Sequence, residues 1–306
     1  MGLTKEKKYN LIGQGLLTLS TLIWGTTFLL LKNTLDSLPV MFVLFARFFT
    51  SAAVLFALFS KRLLKMSKRT LRNGLRLGVV LATAYLFQTY GLKGVTPGEN
   101  AFLTSTYTVM VPFMGWIAFR RRPDAYSFIA AALCIVGIGC VAFYDGVNVT
   151  VGVGQMLTLV CAVFYGLQII IISASGETDD PICLLFVQLL VVGCVCGVGT
   201  LAFEVGRAPM SFEKDSVLCL VYLTLIGTLV AQGGQLIGQK YVSASHASLL
   251  LSFESVFGLL FSVLFGTERL TLVSCIGFAL VFLSVIVSET KLQFLTGLWK
   301  KKEQKE

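Results

Sequence analysis

The feature of this sequence that most constrains its fold is a series of ten apolar runs, each of about the length that a helix needs to cross a bilayer. A hydrocarbon core about 30 Å thick takes roughly 20 helical residues at a rise of about 1.5 Å each. We therefore predict an all-α integral membrane protein of about ten transmembrane helices. The third and eighth runs are the least apolar, so nine spans is the alternative count. The runs are Leu11–Leu31, Val40–Phe59, Gly74–Gly91, Ala101–Phe119, Tyr126–Tyr144, Gly154–Ile172, Ile182–Phe203, Val217–Gln239, Ala247–Phe265 and Leu272–Ser288.

The charged residues lie between these runs and are scarce. They make up 13% of the 306 residues, against about 25% in an average soluble domain. Because a charge at the centre of a spanning helix costs about 2.5–3.5 kcal/mol, this segregation is typical of a chain whose solvent is lipid. The net charge of +9 is spread over loops and tails, so we expect contact with membrane lipids and no nucleic-acid partner.

Lysine and arginine also predict the orientation. With ten spans both termini lie on one side, which then receives 19 of these residues against five on the other. Cytoplasmic loops are the basic ones, so we expect a multi-pass plasma-membrane protein with both termini, and the basic tail 291–306, in the cytoplasm. The acidic loop with Glu177, Asp179 and Asp180 falls on the same side, but acidic residues carry little weight in this rule.

No pattern of catalytic, metal-binding or phosphate-binding residues is present. The eight cysteines lie in or at the edges of apolar runs and have no metal-type spacing with His246, the single histidine. We expect them to behave as small hydrophobic residues, and we expect no metal and no cofactor. His246 is expected at the surface.

The two halves of the chain resemble each other. At an offset of 147 residues Val95 matches Val242 and Ser105 matches Ser252, while Trp24-Gly25 resembles Tyr165-Gly166. Five spans per half is an odd number, so the halves must cross the membrane in opposite senses. We predict two inverted five-helix repeats, residues 1–145 and 150–290, around a central cavity.

Polar side chains recur on one face of several spans, and lipid disfavours such faces, so they should point inward. They can line a cavity or bond helix to helix. We favour bonding between helices for the ninth-span serines, and a cavity for the amides and aromatic residues, because aromatic walls with a few amides suit a small amphipathic solute. The serines are Ser248, Ser252, Ser255 and Ser262. The candidate substrate-binding residues are Trp24, Tyr85, Gln88, Asn100, Tyr107, Tyr165, Gln168, Gln232 and Gln235.

Two ionisable residues fall inside spans. Glu254 is the only carboxylate expected deep within one, and it is either a proton-coupling or amine-binding group or a hydrogen-bonded structural residue. Arg47 is the corresponding cation. For Arg47 we favour structural pairing, with Glu254 as a candidate partner, over direct contact with a solute.

Several motifs occur in a characteristic order and spacing: Trp24-Gly25, Arg47, Val95–Thr104, Val111-Pro112-Phe113, Lys240–Ser245, Ser252–Ser255 and Gly266–Leu270. Together they resemble the drug/metabolite transporter superfamily, in particular its EamA-type members. Ser255 stands where the family has a proline, and Thr267 separates Gly266 from Glu268. The resemblance, which covers residues 10–290, implies a ten-span carrier that often exports amino acids, metabolites or toxic compounds.

We therefore predict a non-enzymatic secondary transporter that moves a small organic solute by alternating access, with export as the expected direction. Homodimerisation remains open. The alternatives are an integral membrane enzyme acting on lipid, which would need more intramembrane carboxylates or histidines, and a structural or signalling membrane protein, which has no need of inward polar faces.

Overall fold

The computed structural model describes residues 5–119, 122–142, 152–175, 179–242, 244–265 and 271–290, and within these ranges there is no β-strand. The tail 291–306, Glu177 and the segment Gly266–Leu270 lie outside the described residues. The helices are α1 Lys5–Leu35, α2 Val40–Leu63, α3 Lys68–Lys93, α4 Pro97–Ser105, α5 Tyr107–Phe119, α6 Ala125–Ala142, α7 Val153–Ser175, α8 Pro181–Gly199, α9 Lys214–Thr224, α10 Ala231–Gln239, α11 Ala244–Leu264 and α12 Leu272–Thr290.

The helix starts follow from their capping residues. Thr96 accepts a hydrogen bond from the Glu99 backbone N–H and precedes Pro97 at the first position of α4. Asp180 does the same for the backbone N–H of Ile182, ahead of Pro181 in α8. A side-chain acceptor at the cap satisfies an otherwise unbonded N–H, and proline has no N–H to lose there.

Within the described part of the chain, six helical segments are long and apolar enough to cross a membrane, which makes this a multi-pass membrane protein. They are Lys7–Leu35, Val40–Leu63, Val153–Ser175, Pro181–Glu204, Lys214–Gln239 and His246–Leu264. The eighth predicted run is therefore among them. The third, which lies in α3, is not among them, although α3 is 26 residues long.

The fourth predicted run is not one helix, as the sequence suggested, but two. The α-helical pattern stops at Thr106, whose hydroxyl donates to the Leu103 carbonyl (2.7 Å), and resumes at Tyr107. A threonine hydroxyl that bonds its own backbone competes with the helical hydrogen bonds. Pro112 follows inside α5, where its ring cannot donate to the preceding turn.

Two segments are π-helical, with a wider turn than an α-helix. Thr200–Glu204 extends α8, and Leu225–Val230 joins α9 to α10. We call Leu225–Val230 the π turn. Together α9, the π turn and α10 form one continuous rod where the sequence predicts the eighth span.

The packing pairs each half of the chain with the other. Helix α1 packs on α10 and α11, and α7 packs on α3, α4 and α5. Helix α2 packs on α8, and α6 packs on α12. Each contact therefore has a counterpart in which the equivalent helices of the two halves are exchanged.

Glycine contacts show the same exchange at opposite ends of the bundle. A Cβ on Gly91 would lie 2.9 Å from the Gly154 carbonyl oxygen, and a Cβ on Gly238 would lie 2.9 Å from that of Gly13. Gly91 and Gly238 are equivalent at the 147-residue offset. Gly13 and Gly154 are equivalent at the offset of Trp24 and Tyr165. Small residues let spanning helices approach this closely.

Candidate solute-binding cavity

A cavity of about 40 Å³ lies between the two halves. In this conformation that volume fits a few waters. Ten of the eleven residues singled out from the sequence contribute to its wall. The lining comprises Trp24, Thr27, Phe28, Leu31, Arg47, Tyr85, Gln88, Tyr107, Tyr165, Gln168, Ile169, Gln232, Gln235, Leu251 and Glu254.

The exception among the candidates is Asn100, which does not line the cavity. Its side-chain amide donates to the Thr158 hydroxyl (2.8 Å) and to the Gln88 carbonyl (3.3 Å). Asn100 is fully buried and ties α4 to α7 and α3. Its polar side chain thus bonds helices together. This is the second of the two roles, cavity lining and bonding between helices, that its position on an inward face left open.

The cavity surrounds the axis that relates the two halves. Gln232 donates from Nε2 to the Tyr85 hydroxyl (3.0 Å), and Ser105 donates to the Ser252 carbonyl (3.4 Å). In both pairs the partners are 147 residues apart and hence equivalent. Equivalent residues can touch each other only close to a twofold axis, so this axis passes through the Tyr85–Gln232 contact in the wall.

The lining itself is composed largely of equivalent pairs. At the 147-residue offset Gln88 matches Gln235 and Tyr107 matches Glu254. Trp24 and Tyr165 are related by a second offset, of 141 residues. At that offset Thr27 matches Gln168 and Phe28 matches Ile169. The cavity is thus symmetric in position but not in chemistry.

An amide and hydroxyl network holds one wall. The Tyr165 hydroxyl donates to Gln88 Oε1 (2.9 Å), and Gln88 Nε2 donates to the Thr104 hydroxyl (3.2 Å). The Tyr85 and Tyr165 rings meet edge to face with centroids 5.7 Å apart. These contacts fix the aromatic rings, so the wall is rigid before a solute arrives.

Other amide atoms in the wall have no hydrogen-bond partner among the residues that the structure describes. Both side-chain polar atoms of Gln168 are unbonded, as is the Oε1 atom of Gln232 and of Gln235. Buried polar atoms are nearly always satisfied in folded proteins, so unbonded ones in a cavity are suited to a solute or to water.

Arg47 is fully buried, at 1% exposure. Within the described residues its side chain forms one hydrogen bond, from Nε to the Thr228 hydroxyl (3.1 Å). Its guanidinium carbon lies 5.6 Å from the ring centroids of Phe48 and Tyr85. Among the described residues no ion pair within 4.0 Å joins Arg47 to its candidate partner Glu254, although both line the cavity. The hydrogen bond from Nε and the contacts with the two aromatic rings are thus the polar and cation–π contacts of the Arg47 side chain among the described residues.

Glu254 lies in α11, is 6% exposed and faces the same cavity. A buried carboxylate without a cation beside it is stabilised by taking up a proton or a cationic ligand. Glu254 occupies the place that Tyr107 holds in the other half. Arg47 similarly stands where α8 has Gln188, at the 141-residue offset. The two charges are therefore among the differences between one side of the cavity and the other.

Several hydroxyls of the spans bond within their own helices. Ser252 and Ser255 donate to carbonyls of their own helix, those of Leu249 and Ser252. Thr158 donates to the Gly154 carbonyl (2.8 Å). Bonding between helices was the expectation for the serines of α11, whereas the Ser252 and Ser255 hydroxyls bond within that helix.

Sequence reasoning missed the apolar part of the wall. Thr27, Phe28 and Leu31 line the cavity together with Trp24. Their spacing of three, four and seven residues from Trp24 puts all four on one helix face. That helical spacing could have identified these residues from the sequence, but a search for polar and aromatic side chains alone did not find them.

The end of the bundle with the α2–α3 connection is tied by carboxylates. Asp179 is 3% exposed and accepts from the Thr70 hydroxyl (2.8 Å) and from Asn73 Nδ2 (2.7 Å). Asp180 pairs with Arg62. Burial raises the pKa of the Asp180 carboxyl, but hydrogen bonds from Arg62 and from the Ile182 backbone lower it further, so the pKa lies below its usual value.

The opposite end is tied by different groups. Lys32 Nζ donates to the carbonyls of Leu92 (2.7 Å) and Val95 (3.0 Å). Glu204 accepts from the backbone N–H of Met41 and of Phe42, both at 2.8 Å. At each end, these contacts include bonds between the two halves.

Comparison with known proteins agrees with this architecture. A model of the EamA-like transporter family matches residues 11–143 and again residues 152–290. The chain belongs to the EamA-like transporter family. This places it in the drug/metabolite transporter superfamily, as the sequence motifs predicted, and the family model occurs twice, once in each half.

Relatives of this EamA-like protein are also described as transporters. An uncharacterized transporter of Archaeoglobus fulgidus is 32% identical over 275 residues, covering 89% of this chain and 83% of that protein. The uncharacterized transporter YoaV of Bacillus subtilis is 22% identical over 278 residues, covering 88% and 93%. One solved crystal structure shares the fold, with a TM-score of 0.70 at 17% identity over 94% of this chain and 99% of that chain. Family and relatives point to a transporter rather than an enzyme.

Proposed function

We propose that this protein is a secondary transporter that binds one small organic solute in the central cavity and exposes it alternately to the two sides of the plasma membrane. Two five-helix repeats of opposite orientation, residues 1–145 and 150–290, form ten spans with both termini in the cytoplasm. The observation that carries the proposal is the cavity on the axis between the halves, with unbonded amide atoms in its wall.

The contacts at the ends of the bundle support alternating access. One end is tied by Asp179 and Asp180, the other by Lys32 and Glu204. Breaking one set while keeping the other opens the cavity to one side only. Inverted repeats make the two open states related conformations of similar energy.

The charges in the wall favour a solute with both an anionic and a cationic group. Arg47 offers a guanidinium whose only hydrogen bond to the described residues comes from Nε, and Glu254 offers a carboxylate without an ion pair. A solute that presents a carboxylate to Arg47 and an ammonium to Glu254 would replace the hydration of both. The tyrosine and tryptophan rings suit its apolar part.

The test is transport by purified protein in lipid vesicles, with a panel of amino acids, their amides and their N-acetyl derivatives. We expect flux of at least one solute carrying both charges, lost on Arg47→Gln and retained in Arg76→Gln, which alters an exposed arginine of α3. Absence of flux for every solute, together with turnover of a vesicle lipid, would favour the membrane enzyme instead.

A further inference from the structure

Within the described residues, Arg47 is the one buried arginine of the cavity wall. It faces the π turn, which is the one π-helical segment beside the cavity in that part of the chain. Arg47 Nε donates to the hydroxyl of Thr228, which lies in the π turn. The same hydroxyl donates to the Leu223 carbonyl (2.8 Å), five residues earlier. In the α-helices of this protein the equivalent bond reaches three or four residues back, as from Thr27 to Trp24 and from Thr34 to Leu30.

This geometry determines which way the hydroxyl points. A threonine hydroxyl has one proton to donate and two lone pairs. Because the proton is used on Leu223, a lone pair is left to accept from Arg47. Hydrogen bonds to a charged group are about twice as strong as neutral ones. Thr228 can therefore hold the guanidinium in one place, with its terminal nitrogens available to the cavity.

The π turn is itself held from the first half of the chain. Trp24 Nε1 donates to the Gly227 carbonyl (3.0 Å), and the Ser51 hydroxyl donates to the Thr224 carbonyl (2.9 Å). A Cβ on Gly227 would lie 2.7 Å from Thr27 Cγ2, so only glycine permits this approach of α1. π-Helical turns are rare overall, and those that occur frequently lie at functional sites.

The repeat shows that the fold does not require this arrangement. The equivalent of Thr228 in the first half is Leu81, 147 residues earlier, and it lies in the uninterrupted α-helix α3. The equivalent of Arg47 is the uncharged Gln188. The π turn and the arginine, which come from different halves of the chain, thus meet on one side of the pseudosymmetric cavity, and the equivalent positions Leu81 and Gln188 have neither.

We infer that Thr228 is a positioning residue: held by the π turn, it orients Arg47 for the anionic group of the transported solute. This inference rests on the proposed transport function. The role of Thr228 is to lower the cost of binding an anion, since the guanidinium is already ordered before the solute arrives.

The experiment compares Thr228→Val, which removes the hydroxyl at nearly constant volume, with Thr228→Ser, which keeps it. The probes are L-phenylalanine and phenethylamine, which lacks the carboxylate. We expect Thr228→Val to raise KM for L-phenylalanine about tenfold with little change for phenethylamine, and Thr228→Ser to stay within about twofold of the wild type. Equal effects on both probes, or no effect on either, would overturn the inference.

A second readout does not depend on transport. In a structure of Thr228→Val we expect the Arg47 side chain to leave its position against Tyr85, whereas Thr228→Ser should retain it. An unmoved Arg47 in the valine variant overturns the positioning role even if transport is seen. Failure of the wild-type protein to move either probe, with Arg47 displaced as expected, would count against the proposed function and its solute class and leave the positioning contact in place.

Discussion

Replacing Arg47 with methionine separates the two roles that this residue could have. If Arg47 were a structural partner of a buried carboxylate, its removal would leave an uncompensated charge and cost about 3–5 kcal/mol of stability. The structure shows no such partner among the described residues. The stability terms are therefore few and can be compared.

Two contacts are lost in Arg47→Met. One is the hydrogen bond to Thr228, and a bond to a charged group is worth about 1.5–3 kcal/mol. The other is the contact of the guanidinium with the Phe48 and Tyr85 rings, about 0.5–2 kcal/mol. Against these, removing a charge from the middle of a span recovers about 2.5–3.5 kcal/mol. The terms nearly cancel, so we expect a change in unfolding free energy within about 2 kcal/mol.

The assay is denaturant unfolding in detergent, paired with flux in vesicles, for Arg47→Met and the control Arg76→Met. We expect Arg47→Met to keep its stability and to lose at least about tenfold in flux of a carboxylate-bearing solute, as expected when a hydrogen-bonded ion pair to the solute is lost. The control should retain both. Strong destabilisation of Arg47→Met, or unimpaired flux, would refute a solute-binding role.

Three further changes test other parts of the account. Glu254→Gln should weaken the pH dependence of flux, because amide replaces the titratable group, whereas an unaltered pH profile at an unaltered rate would make Glu254 architectural. Gly91→Ala should destabilise the protein by about 1–3 kcal/mol in denaturant unfolding, since its Cβ would lie 2.4 Å from Thr158 Oγ1; wild-type stability would contradict the close packing. Asn100→Leu should lower stability, because the hydrogen bonds to the Thr158 hydroxyl and the Gln88 carbonyl are lost, while KM stays unchanged; a raised KM at wild-type stability would return Asn100 to the cavity.

The helical rods could be predicted because lipid imposes both their length and their composition. The run Gly154–Ile172 became α7, and Val40–Phe59 became α2, with ends displaced by a few residues. The family and its duplication followed from motifs spread over both halves. The interruption at Thr106 and the π turn could not be predicted. The interruption depends on competition between hydrogen bonds within one turn. The π turn depends on hydrogen bonds with residues that are distant in the sequence.

The wall of the cavity was accessible to sequence reasoning only where it is polar or aromatic. Gln168 and Gln235 were singled out because an amide in a span needs an inward environment, whereas Phe28 and Leu31 have no such need and were missed. Arg47 and Glu254 were singled out as charges, but their separation was not foreseen, because one chain without a structure gives no distances between spans. The role of these residues in binding remains a prediction.

The most direct test of the central claim is cysteine accessibility at Gln88, Tyr165, Gln232 and Gln235, each replaced singly in a variant without the eight native cysteines. The measurement is labelling by a membrane-impermeant thiol reagent applied to each face in turn. The account predicts that every position reacts from at least one face and that a transported solute slows the reaction. Positions that stay unreactive from both faces, under every condition that supports flux, would contradict a water-accessible cavity between the halves.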